Sequence, residues 1–328
     1  MARAGRASIG VGKMERSCVR TVIAVLVGLV GLLGSVPPGA LAMPLKVAAT
    51  IFPLYDLVRQ VAGGETEVVL LVPLGASPHT VAFKPGMARQ LAGSEALFAI
   101  GYGLDDWAVR LAAEAGVREV VQSHGGKRLP TEVQVEHHHI GSVGHDEKRS
   151  HRGGDVSGVA IDPHYWLSIP NAMQMVSVIT ETLARLDPGG QTGYMQRAGE
   201  TLQAMQQADR DIRRQLAALP RREIALFHGA FAYFAAAYQL HIVATFEPTP
   251  GREPGPRHVR EFLRRIRDRH LRTLFIEPQL DATPLRALAR DIGVELTLLD
   301  PLGGSAGREH YLAMMRFNAA QIAAALRE

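Results

Sequence analysis

The stretch GQTGYMQRAGETLQAMQQADRDIRRQLAAL, residues 190–219, decides the fold. Its composition is helical throughout and it holds no strand-like run. It therefore predicts about 45 Å of helix, at about 1.5 Å per residue. A helix this long between two α/β blocks reads as a rigid connector. The alternative is two shorter helices with a kink near Gly199. Upstream, LKVAATI (45–51), EVVLLV (67–72), ALFAIG (96–101) and REVVQS (118–123) read as strands, with helical patterns such as PLYDLVRQVAGG and LDDWAVRLAAEAG between them. Downstream, REIALFH (222–228), LHIVATF (240–246), RTLFIEP (272–278) and VELTLLD (294–300) repeat the rhythm, and REHYLAMMRFNAAQIAAALRE closes the chain as a helix. Short apolar runs alternating with helical patterns argue for parallel sheets covered by helices. The expected fold is α/β, with two lobes, each a parallel sheet flanked by helices, joined by one long connecting helix. The expected boundaries are a leader at 1–42, a first lobe at 43–188, the connector at 189–220 and a second lobe at 221–328.

The N-terminus has a different character. Arg3, Arg6, Lys13, Arg16 and Arg20 precede the apolar run TVIAVLVGLVGLLGSV (Thr21 to Val36), and Ala40 and Ala42 follow in an A-x-A pattern. The run is shorter than the roughly 20 residues of a membrane span. This is the pattern of an export signal cleaved near Ala42 and Met43, which places the mature protein in the periplasm. Removing the leader takes away five basic residues and one acid, Glu15, and leaves the charges of the remainder balanced. The sequence pI of about 9.4 is thus no argument for nucleic-acid binding. The single cysteine, Cys18, lies within the leader, so any metal in the mature chain must be held by His, Asp or Glu.

Two groups of candidate ligands stand out. One is the loop 124–159, which lacks sustained periodicity and includes VEHHHIGSVGHDEKRSH (135–151). It offers His124, His137, His138, His139, His145 and His151, with Asp146 and Glu147 nearby. A loop of this length is functional or disordered, and ordering it on a metal costs entropy that a preformed site avoids. It therefore reads as an accessory metal loop or as a merely solvated segment. The other group lies where open α/β sheets present ligands, at the carboxyl ends of strands. His79 follows the second strand in LVPLGASPHTVAFKPG, His164 sits in IDPHYWL, His228 ends REIALFH, and Asp300 ends VELTLLD. Two come from each lobe. Three imidazoles and a carboxylate would close a tetrahedral shell at the seam, with Zn(II) the natural occupant of an imidazole-rich site. Taken singly, a strand-end histidine is more often structural than a ligand, and an aspartate before proline at a strand end is usually turn chemistry; the four together at comparable loop positions point to a site.

The motifs GASPHTVAFKPG, DPHYWL, FHGAFAYFAAAYQL, FIEPQL and LDPLG…YLAMMRFNAAQI, in this order, resemble the solute-binding proteins of ABC importers that serve zinc and manganese. The resemblance covers essentially the whole mature chain. It implies a monomeric, non-catalytic protein that carries metal between two lobes joined by a long helix. The implied ligands are His79, His164, His228 and Asp300, and the implied partners are a membrane ABC permease of a zinc importer and other periplasmic zinc chaperones. Histidine at the third position, His228, is the zinc-type choice, whereas manganese-type members tend to carry glutamate there. Some zinc-type members have an acidic residue just before the first histidine. Here it is Pro78, which leaves Asp300 or a water as the fourth ligand.

Around these, Tyr165 and Trp166 are expected to wall the site, and Glu247 and Glu277 either to orient ligand imidazoles or to cap helices. Two rival functions remain at this level. One is a manganese-binding homologue. The other is a secreted zinc hydrolase, which would use three ligands and an activated water but finds no HExxH helix here.

Overall fold

The structure is a computed structural model that describes Met1 and residues 44–123, 126–131 and 160–327. Two four-stranded parallel sheets form its frame. The first comprises β1 (Lys46–Ala49), β2 (Glu67–Leu70), β3 (Ala96–Ala99) and β4 (Glu119–Gln122), in the order β2-β1-β3-β4. The second comprises β5 (Glu223–His228), β6 (His241–Glu247), β7 (Thr273–Ile276) and β8 (Glu295–Leu298), in the order β6-β5-β7-β8. The two sheets thus share one topology, with the strand order reversing at β1 and at β5. The inner strand β3, ALFA, is buried at every residue, as expected where helices cover both faces of a parallel sheet.

Helices flank the sheets: α1 (Phe52–Ala62), α2 (Pro85–Leu91), α3 (Asp106–Glu114), α4 (Ile169–Leu186), α5 (Gln191–Ala217), α6 (Ala232–Tyr238), α7 (Pro256–Asp268), α8 (Thr283–Ile292) and α9 (Tyr311–Leu326). Pro53, Pro85, Pro170, Pro256 and Pro284 each fall in the first turn of their helix, where the missing N–H costs nothing and the fixed φ is already helical. Pro85 opens α2, so the loop that carries His79 ends at Lys84.

The connector α5 is a single helix of 27 residues, and Gly199 does not break it. Its buried residues, Tyr194, Ala198, Thr201, Met205, Ala208, Ile212 and Leu216, recur every three or four positions and form one stripe. Polar contacts fix the helix near both ends. Arg197 donates from Nε to Val61 O at 2.8 Å and from Nη2 to Ala62 O at 2.9 Å, placing a cation on the C-terminal carbonyls of α1. Arg213 donates to Ala237 O at 2.7 Å, and the Tyr238 hydroxyl donates to Asp209 Oδ1 at 3.0 Å, tying the helix to α6.

One apolar cluster runs through both lobes, from Val47 and Phe98 through Trp166 and Met205 to Leu226, Phe275 and Met315. The lobes are further joined by the Trp166 indole, which donates to Pro301 O at 2.7 Å, and by the Tyr311 hydroxyl, which donates to Trp166 O at 2.7 Å. The turn after Pro301 approaches the first lobe closely. Gly304 has φ +82°, a conformation that favours glycine, and a Cβ there would lie 2.5 Å from Leu74 Cδ2 and 3.1 Å from the Phe52 ring, so both side chains would have to shift. Among the described residues no helix is long and apolar enough to cross a membrane.

Continuity of α5 at Gly199 has a direct consequence. The position is exposed, and an added Cβ meets nothing within 4 Å. Gly199→Ala should therefore raise stability by about 1 kcal/mol in denaturant unfolding, from the reduced entropy of the unfolded chain. Loss of stability would show that the helix bends there.

Candidate metal centre

The site begins with a short sequence, IDPHYWL. Asp162 Oδ1 accepts the backbone N–H of His164 at 2.8 Å and the ring Nδ1–H of the same histidine at 2.7 Å. That double contact fixes the ring and its tautomer, leaving Nε2 as the free lone pair. The next residues form a single helical turn, Tyr165–Leu167, which buries Trp166 completely and sets its ring 5.2 Å from that of His164.

His228 is the last residue of β5, where the strand order of the second sheet reverses, the usual ligand position in such folds. Its Nδ1 faces the Glu277 carboxylate, 3.3 Å from Oε1 and 3.4 Å from Oε2. Glu277 follows β7 and is itself buried. Burial opposes a charge on the His228 ring. Glu277 outweighs it, with help from Asp162 and Glu247, and the net effect lifts the His228 pKa above its ordinary value.

His79 comes from the loop between β2 and α2, with its backbone N–H donating to Ser77 Oγ at 3.3 Å. It is the least enclosed of the three histidines. Its Nε2 lies 3.1 Å from His164 Nε2. Because His164 has committed its Nδ1–H to Asp162, the proton between them belongs to His79. Desolvation, reinforced by the neighbouring His164 and His228, pushes the His79 pKa down to about 2.

The three rings stand 5.0 to 5.2 Å apart by centroid. One ligand atom from each of His79, His164 and His228 lies within 4.8 Å of the others. A tetrahedral zinc shell with Zn–N of about 2.0–2.1 Å has edges of about 3.3 Å, close to the 3.1 Å between the His79 and His164 Nε2 atoms. Ser77, Pro78, Trp166, Glu277, Gln279, Pro301 and Leu302 complete the wall of a cavity of about 10 Å³, room for one atom-sized guest.

Asp300 does not join this group. It lies two residues beyond β8 and is buried, and its carboxylate is already engaged by Gln279, by the backbone N–H groups of Leu302 and Gly303, and by Arg308. Glu247 pairs in register with His228 at the sheet edge and accepts Gly251 N–H at 3.0 Å. It makes its contribution to the site by charge rather than by contact. Desolvation raises its own pKa, against the Gly251 hydrogen bond and His228. His124, His137, His138, His139, His145 and His151 lie outside the described residues. Asp162 and Gln279 were not singled out from sequence, although both stand inside quoted motifs. The aspartate two positions before a histidine was the available signal for the first.

The chain matches the family described as "ZnuA: Zinc-uptake complex component A periplasmic" over residues 47–325. It is 26% identical over 281 residues to a manganese-binding lipoprotein MntA of Halalkalibacterium halodurans, a match covering 84% of this chain and 86% of that protein. It is 23% identical over 285 residues to a zinc-binding protein AdcA of Streptococcus pyogenes, covering 84% of this chain and 54% of the longer relative. A crystal structure of ZnuA superposes with a TM-score of 0.73 at 26% identity, covering 86% of this chain and 99% of the other. The relatives' names divide between zinc-binding and manganese-binding. The chain belongs to the ZnuA family of metal-binding solute-binding proteins that serve ABC importers.

Proposed function

We propose that this protein captures Zn(II) in the periplasm and delivers it to the membrane permease of a zinc importer. The carrying observation is the convergence of His79, His164 and His228, two of them held by carboxylates on their outer nitrogens. Neutral imidazoles with carboxylate partners are strong donors to zinc, and a set without a ligating carboxylate suits manganese poorly. The histidine loop 124–159 acts as a weaker accessory collector. Release requires local movement. His79 sits on a loop and is the least enclosed ligand, so withdrawing it disturbs less packing than parting the shared core.

Calorimetric titration of metal-stripped residues 43–328 with zinc and with manganese tests this reading, beside a deletion of 124–158 and His228→Ala. One tight zinc site should survive the deletion. His228→Ala should weaken it by more than about 100-fold, since a lost ligand costs more than the 10–100-fold of a lost orienting group. Tighter manganese than zinc binding, or a site that disappears with the loop, would refute it.

Asp162→Asn should cost about 10–100-fold in zinc affinity, because an amide holds the His164 tautomer less firmly than a carboxylate. An unchanged affinity would mean the ring is fixed by packing alone.

The two shifted histidines set the pH dependence. His79, its pKa held down near 2, is a neutral imidazole at pH 5–8, so it binds the ion by shifting its one ring proton to the other nitrogen and releases no net proton. His228, with its pKa raised, holds a proton further into the neutral range, and zinc must expel it. Affinity should therefore fall as pH drops through that raised pKa. Calorimetry in buffers of different ionisation enthalpy should show proton release growing as pH is lowered through neutrality. Proton-neutral binding at pH 6.5 would contradict the assignment.

A further inference from the structure

Tyr233 is buried in the first turn of α6, with only the turn Gly229–Phe231 and Ala232 between it and His228. Its hydroxyl makes two hydrogen bonds, both to the first lobe. It accepts the Leu129 N–H at 2.9 Å and donates to the Asp162 carbonyl at 3.1 Å. Leu129 and Asp162 belong to a short antiparallel stem. In it Pro130 faces Ile161, Thr131 N–H donates to Ala160 O at 3.0 Å, and Asp162 N–H donates to Leu129 O at 2.9 Å. In a regular antiparallel ladder, residues in the positions of Leu129 and Asp162 exchange both N–H···O bonds. Here only one of the two is direct. The Tyr233 hydroxyl takes the place of the other, between Leu129 N–H and the Asp162 carbonyl.

The insertion falls on the residue that orients a ligand. The Asp162 side chain accepts both the backbone N–H and the ring Nδ1–H of His164. Its main chain is held on both sides, the N–H by Leu129 O and the carbonyl by Tyr233. Pro163, with its fixed φ, makes a stiff link from there to His164. If the hydroxyl were absent, the stem could close its last rung directly. The Asp162 carbonyl would be drawn to the Leu129 N–H, and the peptide carrying the carboxylate would turn away from the His164 ring.

We propose that Tyr233 is a positioning residue for the metal centre: its hydroxyl, set into the last rung of the stem, fixes Asp162 and through it the His164 ring. One segment of the second lobe, HGAFAY, then serves a ligand from each lobe. It carries His228 itself and sets His164 across the seam, so the two rings keep their relative placement. The proposal rests on the three-imidazole reading above.

The test is a zinc competition titration against a chromophoric chelator. It compares the unaltered protein with Tyr233→Phe, Asp162→Ala, the double variant and His164→Ala, and the His164 ring nitrogens of the metal-free forms are followed by NMR. Tyr233→Phe keeps the ring and removes only the hydroxyl. It should lose about three- to tenfold in zinc affinity, the scale of one hydrogen bond. Its His164 nitrogens should report a mixture of tautomers where the unaltered protein holds Nδ1–H alone. Because the effect runs through Asp162, the double variant should bind within about twofold of Asp162→Ala. A tyrosine that only packs the seam would leave the tautomer fixed, and its cost in affinity would add to that of Asp162→Ala. Either of those results, or an unchanged affinity in Tyr233→Phe, overturns the proposal. Normal zinc binding by His164→Ala would instead overturn the three-imidazole centre itself, so the two failures are told apart. Should Tyr233→Phe fail to fold, amide exchange in the unaltered protein decides. Coupling between the hydroxyl clamp and the ion is reciprocal, so zinc should slow exchange of the Leu129 N–H about threefold or more beyond its effect on the Thr131 N–H, which the hydroxyl does not touch. Equal slowing at the two amides overturns the proposal.

Discussion

Two carboxylates behind two imidazoles organise this site. Asp162 holds His164 and Glu277 holds His228, each through Nδ1, so that both rings present Nε2 to the same small cavity. Without these contacts, two buried rings would be free to choose tautomer and rotation, and residues 44–328 contain no cysteine whose thiolate could substitute. The carboxylates also balance the charge that a divalent ion would bring into so small a cavity. Much of the surrounding architecture serves to place them. The Asp162 carbonyl accepts the Tyr233 hydroxyl at 3.1 Å across the seam, and Glu277 is set by the end of β7.

The seam is not a loose hinge. The apolar cluster that fills the first lobe continues along the connecting helix into the second, and Trp166, Pro301 and Tyr311 add a chain of buried hydrogen bonds across it. Separating the lobes would expose this core. Arg197 and Arg213 fasten the helix to α1 on one side and to α6 on the other, so it acts as a strut rather than a swivel. In such a frame the adaptable part is the segment lacking regular structure that carries His79 to the cavity.

Much of this was legible in the sequence, for identifiable reasons. Parallel strands buried on both faces announce themselves as short apolar runs, and the connecting helix announces itself by length and composition. Strand ends were read one to three residues too long, as with LKVAATI against Lys46–Ala49, because apolar residues continue into the buried turns that follow. The helix Pro85–Leu91 was hidden by the prolines and glycines around it. The strand-end rule drew attention to His79, His164, His228 and Asp300 together, and the structure brings the first three to one point. What no linear pattern could show is how Asp300 is engaged. Its partners come from positions 279, 302, 303 and 308, and only the fold reveals that they occupy its oxygens.

The central claim is that one metal ion is held by three imidazoles at the seam. X-ray absorption at the zinc edge, on protein loaded with a single equivalent, tests it most directly. Multiple scattering from imidazole rings counts the histidines bound, and the light-atom shell gives the coordination number. The account predicts three imidazoles and one oxygen donor at about 2.0–2.1 Å. A first equivalent bound by one or two imidazoles in an oxygen-rich shell, or by four or more imidazoles, would contradict it.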